Sequence, residues 1–441
     1  MIYNEGFKKY SKNTAWLLSE KILRIFSSLV VGIWVTRYLG PSDFGVLAYA
    51  QSYVALFASI ATFGLNEILV RELIRNEKEE NEILATSLFI RFLGAITALI
   101  LLCITLFFSS SSKNTILIIF IIAFSILFKS LDVFVFYFQS KVLSKYVVFS
   151  NLISNLISSI LKIVLIIYDA PLVSFAYVLV LDSLILSFFL SFFFFKNTKI
   201  HIKDFVLKKM TAILLLKDSW PLLLSGLVVT ISLKVDQLMI SWILGDAAVG
   251  KYAAASRLSE AWYFIPMAIS GSLFPAIIKA KKIDKELYIK RLQMLLNLMV
   301  VLALSIAIPM TFLSDWLVNI LYGAEFFESG NVLMIHIWSG VFIFLSIANG
   351  SWLINENLQI YYFIFMTLGA VLNVILNYVF IDIFGIVAAA WANLATYFFS
   401  TYICLLFFKK TRISFIYLTK SLLLIDIIKT LNNSFKKCFL R

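Results

Sequence analysis

Long apolar runs separated by short polar breaks make up most of this chain. A bilayer's hydrocarbon core is about 30 Å thick and takes roughly 20 apolar residues per crossing helix, and runs of that length recur here. They are continuous rather than alternating, so they predict helices and not barrel strands. Twelve spans are expected, near residues 14–38, 43–66, 83–108, 115–139, 146–168, 172–195, 219–244, 248–276, 291–313, 331–354, 359–382 and 385–408. The opening "MIYNEGFKKYSKN" carries lysines but no short apolar core with a cleavage site, so no removable signal peptide is expected.

Two of the breaks are alike. "RYLGPSDFGVLAYAQS" aligns with "WILGDAAVGKYAAASR", so that Leu39-Gly40 matches Leu244-Gly245 and Gly45 matches Gly250. Each lies between the first and second spans of its half. A second similarity links "NLISSILKIVLI" from Asn155 in span five with "NVILNYVFI" from Asn373 in span eleven. The pattern predicts an all-α polytopic membrane protein whose twelve transmembrane helices form two six-helix bundles. Six spans per half give both copies the same orientation, a parallel repeat with a substrate path between the bundles. The expected domains are an N-terminal bundle at 1–200, a cytoplasmic connector at 201–217, a C-terminal bundle at 218–410 and a basic amphipathic cytoplasmic tail at 411–441. Lys420, Asp426 and Lys429 interrupt that tail, which reads as a helix lying on the inner leaflet.

Composition agrees: 61% of the 441 residues are hydrophobic and 14% charged, against about 25% charged in soluble domains. The net charge of +13 reads as the basic excess of cytoplasmic loops and not as a nucleic-acid footprint. With the N-terminus inside, inner segments and tail hold 28 of the 38 Lys and Arg, and outer loops hold only Lys113. That bias places both termini in the cytoplasm. Cys103, Cys404 and Cys438 make no metal spacing. No nucleotide-binding loop, metalloprotease or nucleophile-elbow motif is present, so neither an enzyme nor a cofactor is expected.

Nine basic residues fall inside the spans: Lys21, Arg24, Arg37, Arg91, Lys129, Lys162, Lys234, Lys251 and Arg257. An ionisable side chain at membrane depth is costly and is expected to face a cavity or a partner. Arg37, Arg91 and Lys251 lie near span ends, where long side chains snorkel to the headgroups. Glu20 and Arg24, Lys129 and Asp132, and Arg257 and Glu260 have helical spacing and can pair. Lys21, Lys162, Lys234, Asp182 and Asp236 have no such partner, although Lys162 and Asp182 could meet across the span five to six hairpin. One reading makes all of these interhelical glue. The sharper one makes Lys21, Arg24, Lys162, Lys234 and Arg257 a cationic cavity for a phosphate or diphosphate ligand. Asp236 and Glu260 would then balance charge or couple an ion. His336 is expected to be structural, and Trp262, Tyr263, Trp352 and Tyr361 are candidate sugar-stacking surfaces.

"TRYLGPSDFGVLAYAQSYVALFASIATFGLNEILVREL", "VDQLMISWILGDAAVGKYAAASRLSEAWYFIPMAISGSLFPAI" and "NVILNYVFIDIFGIVAAAWANLATY" resemble the bacterial polysaccharide transporters. These are the O-antigen flippases of the multidrug, oligosaccharidyl-lipid and polysaccharide exporter superfamily. The resemblance, over about residues 10–410, implies a V-shaped fold that opens alternately to each side. It implies transfer of an undecaprenyl-diphosphate-linked oligosaccharide from the cytoplasmic to the periplasmic leaflet of the bacterial inner membrane. It also implies contact with the polysaccharide polymerase and chain-length machinery. The matching motifs contain Arg37, Gly40 and Gly45 at the outer mouth, Asp236 in "VDQLMI", and Arg257, Glu260 and Pro266 in "RLSEAWYFIP". A multidrug or cation exporter of the related extruder branch is the alternative. A membrane-embedded glycan ligase is disfavoured by the short outer loops.

Overall fold

The computed structural model describes residues 2–109, 111–198, 200, 203 and 205–425. Lys429 and the rest of the tail beyond residue 425 lie outside the described residues. Among the described residues all regular structure is helical, and no strand is present.

The first helix, α1 (Ile2–Ala61), leaves helical geometry at one point, Gly40 (φ 66°, ψ 176°). With α2 (Leu65–Arg75) it forms an apolar stretch of 57 residues, Ser19–Arg75. Straight, that stretch would extend roughly 85 Å, nearly three bilayer cores. The fold at Gly40 turns it into two crossings, and Pro41 follows where a helix's first turn tolerates the missing N–H.

The remaining helices of the first half are α3 (Glu80–Phe107), α4 (Lys113–Ala123), α5 (Ser125–Phe128), α6 (Val133–Ser140), α7 (Lys145–Ile167) and α8 (Leu172–Asn197). The second half has α9 (Lys209–Leu244), α10 (Asp246–Glu260), α11 (Phe264–Ile283), α12 (Lys285–Tyr322), α13 (Glu328–Asn355), α14 (Gln359–Phe384), α15 (Ile386–Thr401) and α16 (Arg412–Leu422). Eleven stretches among the described residues are long and apolar enough to cross a membrane. With the first counted as two, this is the twelve-span pattern of the sequence. α4 to α6 make one crossing, broken by a 3-10 turn at Lys129–Asp132, and α10 and α11 make another, broken at Ala261–Tyr263.

Two compact units result, Met1–Ser241 and Trp242–Arg441. In the first, Val31, Leu47, Ala98, Ile119 and Phe175 join α1, α3, α4 and α8 in one core, while Leu69, Leu84, Phe138 and Leu190 form a second near α2 and α6. α9 belongs to this unit. In the second unit Leu296, Met299, Phe344, Leu345, Phe365 and Leu418 form the core around α12 and α13. Large apolar side chains such as Phe26, Phe107, Phe312 and Ile383 remain exposed, as lipid-facing positions must.

Candidate functional site

Of the four predicted cations in the first unit, Lys21 and Arg24 lie on α1, Lys162 on α7 and Lys234 on α9. Arg24 Nε pairs with Glu20 Oε1 at 3.3 Å, one helical turn apart, as the spacing predicts. Glu20 is buried, Lys21 half-buried and Arg24 exposed. The hydroxyls of Ser27 and Ser159 meet at 3.3 Å and tie α1 to α7. Spans one and five run in the same direction, so Lys21 and Arg24 lie on one side of this contact and Lys162 on the other. At 1.5 Å per residue the ladder from Arg24 to Lys162 covers about 9 Å along the helices.

Ser150, Ser154 and Ser158 form a buried stripe of small residues on α7, which faces α8 at Ser154. Ser154 Oγ donates to Asp182 Oδ1 at 2.6 Å, which engages Asp182 two turns before the level of Lys162. Lys162 is half-buried.

On α9, Asp236 is buried and Lys234 half-buried. Residues two apart point about 200° from each other on a helix. Beside Asp236, Gln237 accepts a 2.6 Å hydrogen bond from Ser52, which fixes α9 against the second half of α1. Sequence reading passed over this pair, although a Ser and a Gln within apolar runs were the signal.

In the second unit Arg257 and Glu260 are half-buried at the end of α10. Glu260 and the Tyr322 hydroxyl lie within electrostatic reach of Arg257. The Tyr322 hydroxyl donates to the Ala254 carbonyl at 3.3 Å and so joins α12 to α10. The predicted cations are therefore divided, four in the first unit and Arg257 in the second.

Of the outer-mouth residues, Gly40 makes the turn, Gly45 is buried behind it and Arg37 is exposed. Lys251 does not only snorkel, since its Nζ pairs with Glu328 Oε1 at 2.7 Å. Arg91 departs from the snorkelling expectation altogether. It is 3% exposed, donates to Asn66 Oδ1 and to the Lys129 carbonyl at 3.5 Å, and lies 5.1 Å from the Phe136 ring centre. The 3-10 break at Lys129–Asp132 frees carbonyls within the membrane, and Arg91 satisfies one of them.

The aromatic candidates also separate. Trp352 is buried and cannot offer a ring face to a sugar, whereas Trp262 is exposed. A pair the sequence did not single out, Trp242 and Tyr378, stacks at 6.3 Å with both rings exposed. His336 is buried, edge-on to Tyr252 at 6.0 Å, in keeping with a structural place.

Ion pairs the sequence did not foresee hold the start of α9. Arg71 pairs with Glu72 at 2.8 Å and with Asp218. Glu82 takes Lys208 and the Thr211 hydroxyl. Apart from the adjacent Glu72, the partners come from distant parts of the chain, which local spacing does not reveal.

Known proteins support a consistent assignment. A Shigella dysenteriae protein assigned to O-antigen transport is 24% identical over 378 residues, covering 85% of this chain and 93% of its own length. An inward-facing multidrug-resistance transporter of the MATE family, in the MOP superfamily, superposes with a TM-score of 0.70 at 14% identity, over 92% of this chain and 99% of its own. The lipid II flippase MurJ, in an inward closed conformation, superposes with a TM-score of 0.70 at 17% identity, over 95% of this chain and 92% of its own. Those two likenesses carry the fold. The family model described as "Polysaccharide biosynthesis protein" matches residues 10–281, well over half of the sequence. This chain is a multi-pass membrane protein that belongs to the polysaccharide biosynthesis protein family.

Proposed function

We propose that the protein is a flippase that carries an undecaprenyl-diphosphate-linked oligosaccharide, an O-antigen or similar repeat unit, from the cytoplasmic to the periplasmic leaflet of the bacterial inner membrane. Its relatives are transporters and not enzymes, and the Shigella dysenteriae one is assigned to O-antigen transport. The observation that carries the reading is the set of basic side chains within the crossings of the first unit, Lys21 and Arg24 on α1, Lys162 on α7, the helix that Ser159 ties to α1, and Lys234 on α9. Basic side chains at membrane depth suit the phosphates of a lipid-linked sugar, since each ammonium or guanidinium makes charge-assisted hydrogen bonds to phosphate oxygens. In this reading Arg257 is the second unit's own cation for the substrate, and Asp236 and Glu260 balance charge or take up the coupling ion. Arg37, Gly40 and Gly45 shape the outer mouth. Alternating access drawn from an ion gradient moves the substrate, which then meets the polymerase and chain-length machinery. Both termini lie in the cytoplasm.

The test is transport of the glycan unit in cells lacking the native gene. Lys234→Gln and Arg257→Gln are each expected to abolish surface polysaccharide at unchanged membrane abundance; normal polysaccharide in both sinks the cationic site. Drug resistance on overexpression, with no glycan phenotype on deletion, would instead favour a multidrug or cation exporter.

A further inference from the structure

Among the described residues, one edge of the second unit holds more positive charge than the acids beside it neutralise. α11 and α15 end a crossing and α12 begins one, so by alternation of spans the segments 279–291 and 409–420 meet the same membrane edge. Together they hold ten Lys and Arg against two acids, Asp284 and Glu286. Asp284 is occupied at the start of α12, where its carboxylate accepts from the backbone N–H of Glu286 at 3.2 Å and of Leu287 at 3.0 Å. A third acid at this edge, Glu356, is taken by Lys281 Nζ at 2.8 Å and the Tyr288 hydroxyl at 2.6 Å. Lys285, Lys290, Lys409, Lys410, Arg412 and Lys420 have little acid left to meet, and all are exposed.

α16 adds a second observation. One of its faces, Ser414, Leu418 and Ser421, is buried. Ser414 donates to Asn349 of α13, and Gln293 of α12 donates to Ser421 Oγ at 2.6 Å and to the Tyr417 carbonyl at 3.0 Å. The helix therefore lies across α12 and α13 and does not prolong α15. Its opposite face presents Arg412, Ile413, Ile416, Lys420 and Leu423, all exposed. Aliphatic and basic side chains on one face of a helix at a membrane edge match a phospholipid boundary. The aliphatic groups enter the acyl layer and the cations meet the phosphates.

We propose that α16 and the α11–α12 turn together form a binding surface for the headgroups of anionic phospholipids. Its occupant is the lipid phosphate, chosen by charge complementarity and by the exposed aliphatic residues between the cations, which an acidic soluble protein would not need.

The experiment titrates the purified full-length protein in detergent with phosphatidylglycerol or phosphatidylcholine micelles and follows thermal stability at low and high salt. Phosphatidylglycerol is expected to raise the melting temperature more than phosphatidylcholine, and 1 M salt should erase the difference within a Debye length of about 3 Å. Lys409→Gln/Lys410→Gln/Arg412→Gln/Lys420→Gln is expected to move the titration midpoint upward by at least tenfold, at about fivefold per charge near the surface. Lys113→Gln, on the other edge, should leave it unchanged. If the fourfold variant does not fold, Lys285→Gln/Lys290→Gln, which changes two exposed side chains, serves the same purpose. Equal response to the two lipids, a full phosphatidylglycerol preference in the variants, or capture of an acidic peptide without any lipid preference overturns the proposal.

Discussion

Gly40 and Gly245 adopt the same backbone conformation, φ 66° and ψ 176° at the first and φ 85° and ψ 178° at the second. This region is essentially closed to side chains. Each residue precedes the second crossing of its half, so the sequence match "LGPSDFG" to "LGDAAVG" is also a match of geometry.

Gly245→Ala is expected to destabilise the protein by about 1–3 kcal/mol, the usual cost of a strained backbone. No atom lies within 4 Å of the position its Cβ would take, so the cost is conformational and not steric. Gly226 has equally open surroundings but lies inside α9. Gly226→Ala should therefore shift stability the other way, by about 0.5–1 kcal/mol. Thermal melts of the two variants in detergent check the opposite signs.

Gly64 is constrained by contact as well as by its φ of +65°. A Cβ there would overlap the backbone nitrogen of Leu223 and the carbonyl of Ser219, on either side of Pro221. Gly64→Ala is expected to push α9 away from α2 and to cost more than Gly245→Ala. Disruption of the neighbouring Arg71–Asp218 pair should follow. In a double-mutant cycle, the coupling between Arg71→Gln and Asp218→Asn should vanish in the Gly64→Ala background.

The Glu356 carboxyl lies outside the spans, where burial raises its pKa but hydrogen bonds from Lys281 and Tyr288, with the Lys281 charge, outweigh that and hold it below its ordinary value of 4.5. A carboxyl with a depressed folded-state pKa contributes stability above the unfolded value and loses it as pH falls through the folded one. Parent and Glu356→Gln melts should differ by a constant amount above about pH 5 and converge at lower pH. The Lys281 side chain is 40% exposed, so its share of that difference should be about 0.2–1 kcal/mol.

Gln293 binds Asn297 Oδ1 at 3.1 Å in addition to its two α16 partners. Gln293→Leu leaves the Tyr417 carbonyl and the Ser421 hydroxyl without that donor, a cost of about 1–3 kcal/mol where they are buried. α16 should then detach locally. Leu418→Cys, at a fully buried position, should resist maleimide in the parent and react in the Gln293→Leu background.

Spans and turns were legible in the sequence because run length and glycine position are properties of the chain itself. The Glu20–Arg24 pair was legible for the same reason, since four residues on a helix fix its geometry. Arg91 was not. Its partner Asn66 is 25 residues away on another helix, and which way a helix rotates within a bundle is decided by packing. The tail showed the same limit. Its charges suggested a helix lying on the inner leaflet, but the buried face formed by Ser414, Leu418 and Ser421 depends on Asn349 and Gln293, far back in the chain.

The docking of α16 also bears on the order in which the protein can be completed. Gln293 and Asn297 enter the membrane with α12, well before their partner Ser421, which lies 124 residues beyond Asn297, has been made. Until those residues leave the ribosome the two amides have each other and water at the membrane edge. The second unit therefore closes only once α16 has been made, and a chain truncated after α15 should have every crossing in place but leave α12 open to water and to proteases along one side.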